Sequence, residues 1–248
     1  MDIWQTIIDW LHRIGLHIDP ETARAVGDAA GQVGDVAARA GQAVGQMDMA
    51  SMLALAAALG WASGVRLYAV VFIVGGMGAL GWLALPPALA VLQHPAVLMA
   101  SGFMLVVEFF ADKVPWLDSA WDAVHAFIRV PAGALLAAGV FGASDASMAV
   151  AAGLLGGSLS AAALATKMTA RAAANTSPEP FSNWGLSFLE DGLVVGVVWL
   201  ATQHPLAFGL ALAVVLLLSA LLLVVLFKFL RAVLRRVSSL FSGSAKVA

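Results

Sequence analysis

Residues 205–227 read PLAFGLALAVVLLLSALLLVVLF, 23 positions without an ionisable side chain, ended by Lys228. A helix rising about 1.5 Å per residue needs about 20 apolar residues to cross the hydrocarbon of a bilayer. This run is long enough, and it is apolar on every side, unlike a helix on the surface of a soluble domain. It predicts a membrane-spanning helix that works chiefly as a lipid-facing anchor. The rest of the chain agrees. Of its 248 residues 61% are hydrophobic and only 11% charged, where a soluble domain carries about 25% charged residues. A globule with so little charge could not cover its surface in water. The net charge of −2 offers no basic field for nucleic acid. The absence of cysteine excludes disulfides, thiol nucleophiles and thiolate metal sites.

Working outward from that run, hydropathy predicts five further spans, at 49–75, 95–112, 120–142, 146–168 and 186–202, with the anchor at 206–228. Gly153, Gly156, Gly157, Ser160 and Ala163 recur at steps of three and four in the fourth, which predicts a buried helix in close contact with its neighbours. Residues 76–94 contain Pro86, Pro87, Gln93 and His94 and read as a connection, partly re-entrant. The expected fold is an all-α integral membrane protein of about six transmembrane helices. A 3+3 inverted repeat with broken helices is one arrangement of them, hinted at by Leu59–Gly64 echoing Leu155–Ser160. Residues 1–48 form a separate appendage. Ile3, Trp4, Ile7, Ile8, Leu11 and Ile14 mark an amphipathic helix, and the Ala/Gly-rich stretch after it has glycines four apart, a pattern that suits a homo-oligomer contact or a loose tether. The domains are therefore 1–48, 49–230 and a basic tail, 231–248.

Lys and Arg outside the apolar core set the orientation. The tail carries Lys228, Arg231, Arg235 and Arg236, while the turns at 81–94, 143–145 and 203–205 carry neither residue type. Both termini are expected in the cytoplasm, with the loops at 113–119 and 169–185 on the same side.

Ionisable residues gather in two short regions. In the first, Glu108 and Asp112 are four apart and share a helical face, and Asp118, Asp122, His125 and Arg129 follow at steps of four, three and four. Pro131 is expected to kink the helix that carries them. Carboxylates with one imidazole suit a divalent cation or a proton relay. Asp118 also reads simply as a helix cap. In the second region Lys167 and Arg171 share a face, Asn175 and Asn183 flank Pro178 and Pro180, and Glu190-Asp191 open the fifth span. Arg66 lies alone inside the first span, where a charge costs about 2.5–3.5 kcal/mol on insertion scales. Ser63-Gly64 is expected to break the helix there. The guanidinium then sits beside a half-helix N-terminus that attracts an anion, or pairs with Glu108 or Asp112.

The Glu-x-x-x-Asp-Lys-x-Pro-x-x-Asp stretch from Glu108, the Gly64-Val65-Arg66-Leu67-Tyr68 patch and the Asn175-Thr-Ser-Pro-Glu-Pro…Asn183…Glu190-Asp191 stretch together resemble a bacterial membrane family known as domain of unknown function 4126. The likeness covers about residues 49–230 and implies a bacterial inner-membrane protein without implying an activity. A more distant likeness is to manganese and calcium exchangers with Glu-x-Gly-Asp-Lys/Arg-Thr/Ser motifs. Glu108 and Asp112-Lys113 are similar in type, but the spacing is one longer, Ala111 replaces the glycine and Val114 the hydroxyl residue.

The expectation is a small transporter or channel for a cation, divalent or proton-coupled. Its site would comprise Arg66, Glu108, Asp112, Asp122, His125, Lys167, Arg171, Asn175, Asn183, Glu190 and Asp191, with Glu108, Asp112 and Glu190 as ligands of a divalent metal. A non-transporting partner subunit or a lipid-handling protein is the other expectation. No phosphate loop or nucleophile elbow is present, and no enzyme is expected. An intramembrane hydrolase sharing a proton between Asp112 and Asp191 is the enzymatic alternative.

Overall fold

A computed structural model describes residues 47–114, 116–142, 145–175 and 181–243, together with positions 21, 24, 28 and 31. The amphipathic helix, the oligomer contact expected of residues 1–46 and the prolines at 178 and 180 lie outside the described residues. Those that are described form helices and contain no strand. They are α1 (Met49–Ala79), a 3-10 helix (Pro87–Gln93), α2 (Pro95–Ala111), α3 (Leu117–Phe141), α4 (Ala146–Ala174), α5 (Phe181–Gln203) and α6 (Pro205–Gly243).

Five of these helices are long and apolar enough to cross a membrane, and the 3-10 helix with α2, bent by 66°, is apolar enough as a pair to form a broken sixth span or a re-entrant loop. The bend has a local cause. Pro95 cannot donate a backbone hydrogen bond into the preceding turn, and His94 Nδ1 accepts from Ala96 N at 3.2 Å to start α2 afresh. The α2, α3 and α4 spans start or end within a few residues of the expected ones at one end or both. The expected boundary at 230/231 falls inside α6, which continues to Gly243.

Helix α1 is the centre of the bundle. Leu55, Leu59, Ala62, Val70 and Val74 on it have no exposed surface and nucleate the apolar core. Helices α3, α4 and α5 and the 3-10 helix pack around it. Three of these helices meet through small residues. A Cβ at Gly60 would stand 2.5 Å from Gly156 Cα, and one at Gly64 would stand 2.1 Å from the carbonyl oxygen of Ser160. Only glycine permits such an approach. Gly133 of α3 closes the crossing against the Ser160 side chain. The two echoing stretches of sequence are thus packed on each other, Gly60 on Gly156 and Gly64 on Ser160. The close contact expected of α4 is found on this face, whereas Val150, Leu154 and Leu155 on its other side are exposed.

One sequence expectation changes here. The break in α1 falls at Arg66 (φ −148, ψ 87) and not at Ser63-Gly64. Gly64 serves the helix crossing instead. Helix α3 runs through Pro131 without interruption. Its Arg129 carbonyl is bonded by Ser160 Oγ of α4 at 3.0 Å. Helix α6 leaves Leu206, Leu210, Leu217, Leu218 and Val225 exposed, as a lipid-facing anchor does.

Candidate functional site

The break at Arg66 interrupts the backbone hydrogen bonding of α1 and leaves the Val65 carbonyl needing a donor. Lys167 Nζ of α4 supplies it at 3.1 Å. That ammonium is the hub of the site. It lies 3.1 Å from Asp122 Oδ1 on α3 and 3.4 Å from Glu190 Oε2 on α5. It is 3.7 Å from both Glu108 Oε1 and Asp112 Oδ2 at the end of α2. The two sequence regions therefore meet, Lys167 of the second pairing directly with Glu108, Asp112 and Asp122 of the first.

Three guanidinium groups surround the hub. Arg129 bonds Glu108 through Nη2 and Asp122 Oδ1 through Nη1, the latter at 2.7 Å. Arg171 holds Glu190 Oε2 at 2.8 Å and Asp112 Oδ2 at 3.1 Å, and donates to the Asp112 carbonyl at 2.7 Å. Arg66 holds Asp112 Oδ2 at 2.7 Å and Asp191 Oδ1 at 3.0 Å, and donates to Ser187 Oγ at 2.7 Å. Each arginine thus links two carboxylates, which fixes their positions with planar forks.

Polar side chains extend the network towards the 175–181 connection. Asn175 Nδ2 donates to both carboxylate oxygens of Asp118, at 3.1 and 3.2 Å, and Asn183 Nδ2 donates to Asn175 Oδ1 at 2.7 Å. Arg171 Nη1 is 3.8 Å from Asp118. Asp118 is therefore buried in the network and is no solvated cap. Towards the surface burial falls off: the side chains of Glu190 and Asp191 are 9% and 32% exposed, while those of Glu108, Asp112 and Asp122 are at 0%. On the far side of Arg129 the crossing of Gly60, Gly64, Gly133 and Gly156 seals the bundle. The polar region is one-sided.

The charges do not balance. Among the described residues, Glu108, Asp112, Asp118, Asp122, Glu190 and Asp191 face Arg66, Arg129, Lys167 and Arg171 within ion-pair distance. Six carboxylates against four cationic groups leave two negative charges in excess among the ion-paired groups, which Lys113, outside ion-pair distance but interacting with Asp191 and Asp112, offsets in part. Three oxygens in this group, Glu108 Oε2, Asp112 Oδ1 and Asp122 Oδ2, are buried without a hydrogen-bond partner, as are the nitrogens Arg66 Nε, Arg66 Nη1 and Arg129 Nε. An uncompensated buried charge is strongly unfavourable, and such groups take up protons or counter-ions.

Of the expected site residues, Arg66, Glu108, Asp112, Asp122, Lys167, Arg171, Glu190 and Asp191 come together directly, and Asn175 and Asn183 join at the edge. His125 does not. Its ring stacks on Trp121 at 4.1 Å and its Nδ1 donates to the Trp121 carbonyl at 2.8 Å. The expected metal triad of Glu108, Asp112 and Glu190 is also corrected. These carboxylates are held apart by Arg129, Arg66, Arg171 and Lys167, and no group of three or more acidic or histidine side chains with metal-binding geometry occurs among the described residues. Glu190 and Asp191 lie near the middle of α5, since that helix begins at Phe181. Asp112 and Asp191, the hydrolase pair, are bridged by Arg66 through different nitrogens. Sequence reading missed Arg129, Asp118 and Ser187 as members. The 118-122-125-129 spacing carried the signal for the first two, and nothing in the sequence signals Ser187.

No curated protein and no solved structure matches the chain. The likeness to manganese and calcium exchangers finds no support from any of these comparisons. One family model, described as a domain of unknown function (DUF4126), matches residues 53–225, a stretch that holds every charged member of the buried network. The chain belongs to that family.

Proposed function

We propose that this is a small transporter for a cation, working from the inner membrane of a bacterium with its C-terminal tail in the cytoplasm; the start of α1, where Met47, Asp48 and Ser51 lie beside Ala201 and Thr202, falls with the 203–205 turn on the other side, against the expectation of two cytoplasmic termini. The observation that carries the reading is the charge excess: a buried network holds two more carboxylates than cationic groups within ion-pair distance, and three of its carboxylate oxygens lack a hydrogen-bond partner. Ionisable groups inside a membrane are costly and mark ion or proton pathways more often than packing devices. A bound cation or protons supply the missing positive charge, and the graded exposure of Glu190 and Asp191 gives them a route to water. The broken α1 adds a backbone carbonyl to the carboxylates, the ligand set that discontinuous helices offer to cations. The glycine-lined crossing then acts as the closed gate, which a second conformation must open.

The orientation rests on Lys228 and Arg231 after the last span, together with their absence from the turns expected outside. Uptake of a panel of monovalent and divalent cations into proteoliposomes tests the function. Wild-type protein moves at least one of them, and Asp112→Asn and Glu190→Gln at equal reconstitution do not. A second reading, a partner subunit held rigid by internal salt bridges, is favoured by one observation: every guanidinium of the network is already paired. On that reading no cation moves, and the same substitutions lower abundance instead.

A further inference from the structure

We propose that α1 does not cross the membrane but is a re-entrant hairpin, inserted from the face opposite the C-terminal tail with Arg66 at its tip, and that this hairpin is the gate on that face. The topology stands on its own geometry. The gating role rests on the transport reading above.

Length and composition make α1 a candidate span, but its neighbours show two arms side by side. Leu83 N donates to the Met77 carbonyl at 3.2 Å, so Leu83 marks the end of α1. The same Leu83 lines a cavity of about 290 Å³ with Met47, Asp48, Ser51 and Leu55, which mark its start. An unbroken helix would put Leu55 about 33 Å from Met77, from the rise per residue. The chain therefore turns back between them, and Arg66 (φ −148, ψ 87) is the residue of α1 whose backbone is not helical.

Each arm can be followed on its neighbours. The first, residues 49–65, descends along α4: Gly60 abuts Gly156, Gly64 abuts Ser160, and the Val65 carbonyl accepts from Lys167 Nζ. The second, residues 67–79, climbs back along α2. It passes from Arg66 beside Asp112, through Phe72 against Gly102, to Gly75 against Leu98 and the Leu92 carbonyl. Both arms touch the same stretch of α3. The Gly60 carbonyl lies against Gly133, while Leu67 and Val71 share a groove with Ala132, Leu135 and Leu136. The arms are about 25 and 20 Å long, short of the roughly 30 Å hydrocarbon core.

Burial permits this arrangement. Of the apolar stretch of α1, 72% is buried, against 33% or less in α3 to α6. Non-helical backbone is tolerated at membrane depth only where protein encloses it. Arg66 has no exposed surface, and Lys167 meets the carbonyl that the break frees.

The chain then crosses the membrane through α2 to α6. The mouth of the hairpin lies with the 203–205 turn, since Ala201 and Thr202 line its cavity. The 3-10 helix that follows it packs on Gly139 and Gly142 at the end of α3. An odd number of crossings puts the start of α1 and the C-terminal tail on opposite faces. The tip carries Arg66 and the Val65 carbonyl into the charged network. Behind the tip, Leu55, Leu59, Ala62, Val70 and Val74 fill the bundle and have no exposed surface. A cation passing from the network to the hairpin's face must displace it.

The chain has no cysteine, so single cysteines report topology without background. Full-length Ser51→Cys, Leu80→Cys, Thr202→Cys and Ala172→Cys are labelled with an impermeant maleimide in right-side-out and everted membrane vesicles. The first three should label from one face, and Ala172→Cys, near the end of α4, from the other. A short reducible thiol cross-linker should join Ser51→Cys to Leu83→Cys within one monomer, and Ser51→Cys to Thr202→Cys. Labelling of positions 51 and 80 from opposite faces overturns the hairpin, as does failure to link 51 to 83 in folded protein. The single variants decide the topology if a double variant fails to fold. Cation flux in proteoliposomes then tests the gate. Linking 51 to 202 ties the hairpin to α5 and should lower flux by about tenfold or more until the linker is reduced, whereas linking 51 to 83 joins its own arms and should leave flux unchanged. Flux that survives the 51–202 link overturns the gate and leaves the topology standing. No flux through wild type, with labelling as expected, sinks the transport reading and the gate with it, but not the hairpin.

Discussion

Arg129 illustrates how residues in this protein depend on partners far away in sequence. It bonds Glu108, 21 residues back, and Asp122, seven back, and none of the three is exposed. Removing one member of a buried ion pair leaves the other uncompensated, at about 3–5 kcal/mol. Arg129→Met should therefore destabilise the protein by about that amount in detergent-based unfolding, and adding Asp122→Asn to it should recover part of the loss. A single-substitution cost below about 1 kcal/mol would show that the network carries no internal stabilisation. Membership of the network was legible wherever carboxylates and bases fell at helical spacing, as Glu108 with Asp112 and Lys167 with Arg171 do. It was illegible where the partner is a backbone group exposed by a break. Nothing in the sequence ties Lys167 to the Val65 carbonyl, 102 residues away. His125 misled for the opposite reason: it lies on the correct face, but its neighbour Trp121 takes both its ring and its Nδ1.

Hydropathy located the elements to within a few residues wherever a span starts at a turn residue, such as His94 or Asp145. It placed the start of α5 too late, because residues 181–189 mix Ser182, Asn183 and Ser187 with aromatic side chains. Asn183 and Ser187 face the network and are buried. Tertiary pairing rather than local polarity decides that turn of helix. The start of α4 is set by Asp145, whose carboxylate accepts from Met148 N at 3.0 Å and from Ser147 Oγ at 2.7 Å. Those bonds, the Met148 amide first, hold its carboxyl below the ordinary range. A carboxylate lowered in this way contributes stability above its unfolded value, and the contribution drains as pH falls through the lowered one. Asp145→Ala should thus lower the thermal midpoint at pH 7, with the difference from wild type vanishing well below pH 4. A pH-independent difference would show that the cap does not act through its charge. The crossing of α1 and α4 gives a second test. Gly64→Val has no room beside Ser160 and should cost about 1–3 kcal/mol or more. Gly196→Ala on α5, which meets nothing within 4 Å, should be neutral or stabilising by up to about 1 kcal/mol. Equal effects at the two sites would contradict the close packing.

Across the whole molecule, one half of the bundle is sealed by small residues and the other is filled with charge. The anchor α6 stands aside from both, with little of its apolar stretch buried and no charge before Lys228. Composition alone indicated a membrane protein, and the two motif regions indicated where its chemistry lies. The sequence could not supply their meeting in space, because the pairs that make it, Lys167 with Asp122 and Arg171 with Asp112, join residues of different helices far apart in the chain. It also could not reveal the excess of carboxylates, which becomes a physical problem only once all six are enclosed together. The central claim is that this enclosed excess is balanced by a cation that comes and goes. The most direct measurement is the accumulation of each cation in proteoliposomes under an imposed inward gradient. The account predicts that at least one cation accumulates with wild-type protein and that Asp112→Asn at equal reconstitution gives none. No accumulation of any cation tested, or as much with Asp112→Asn as with wild type, would contradict it.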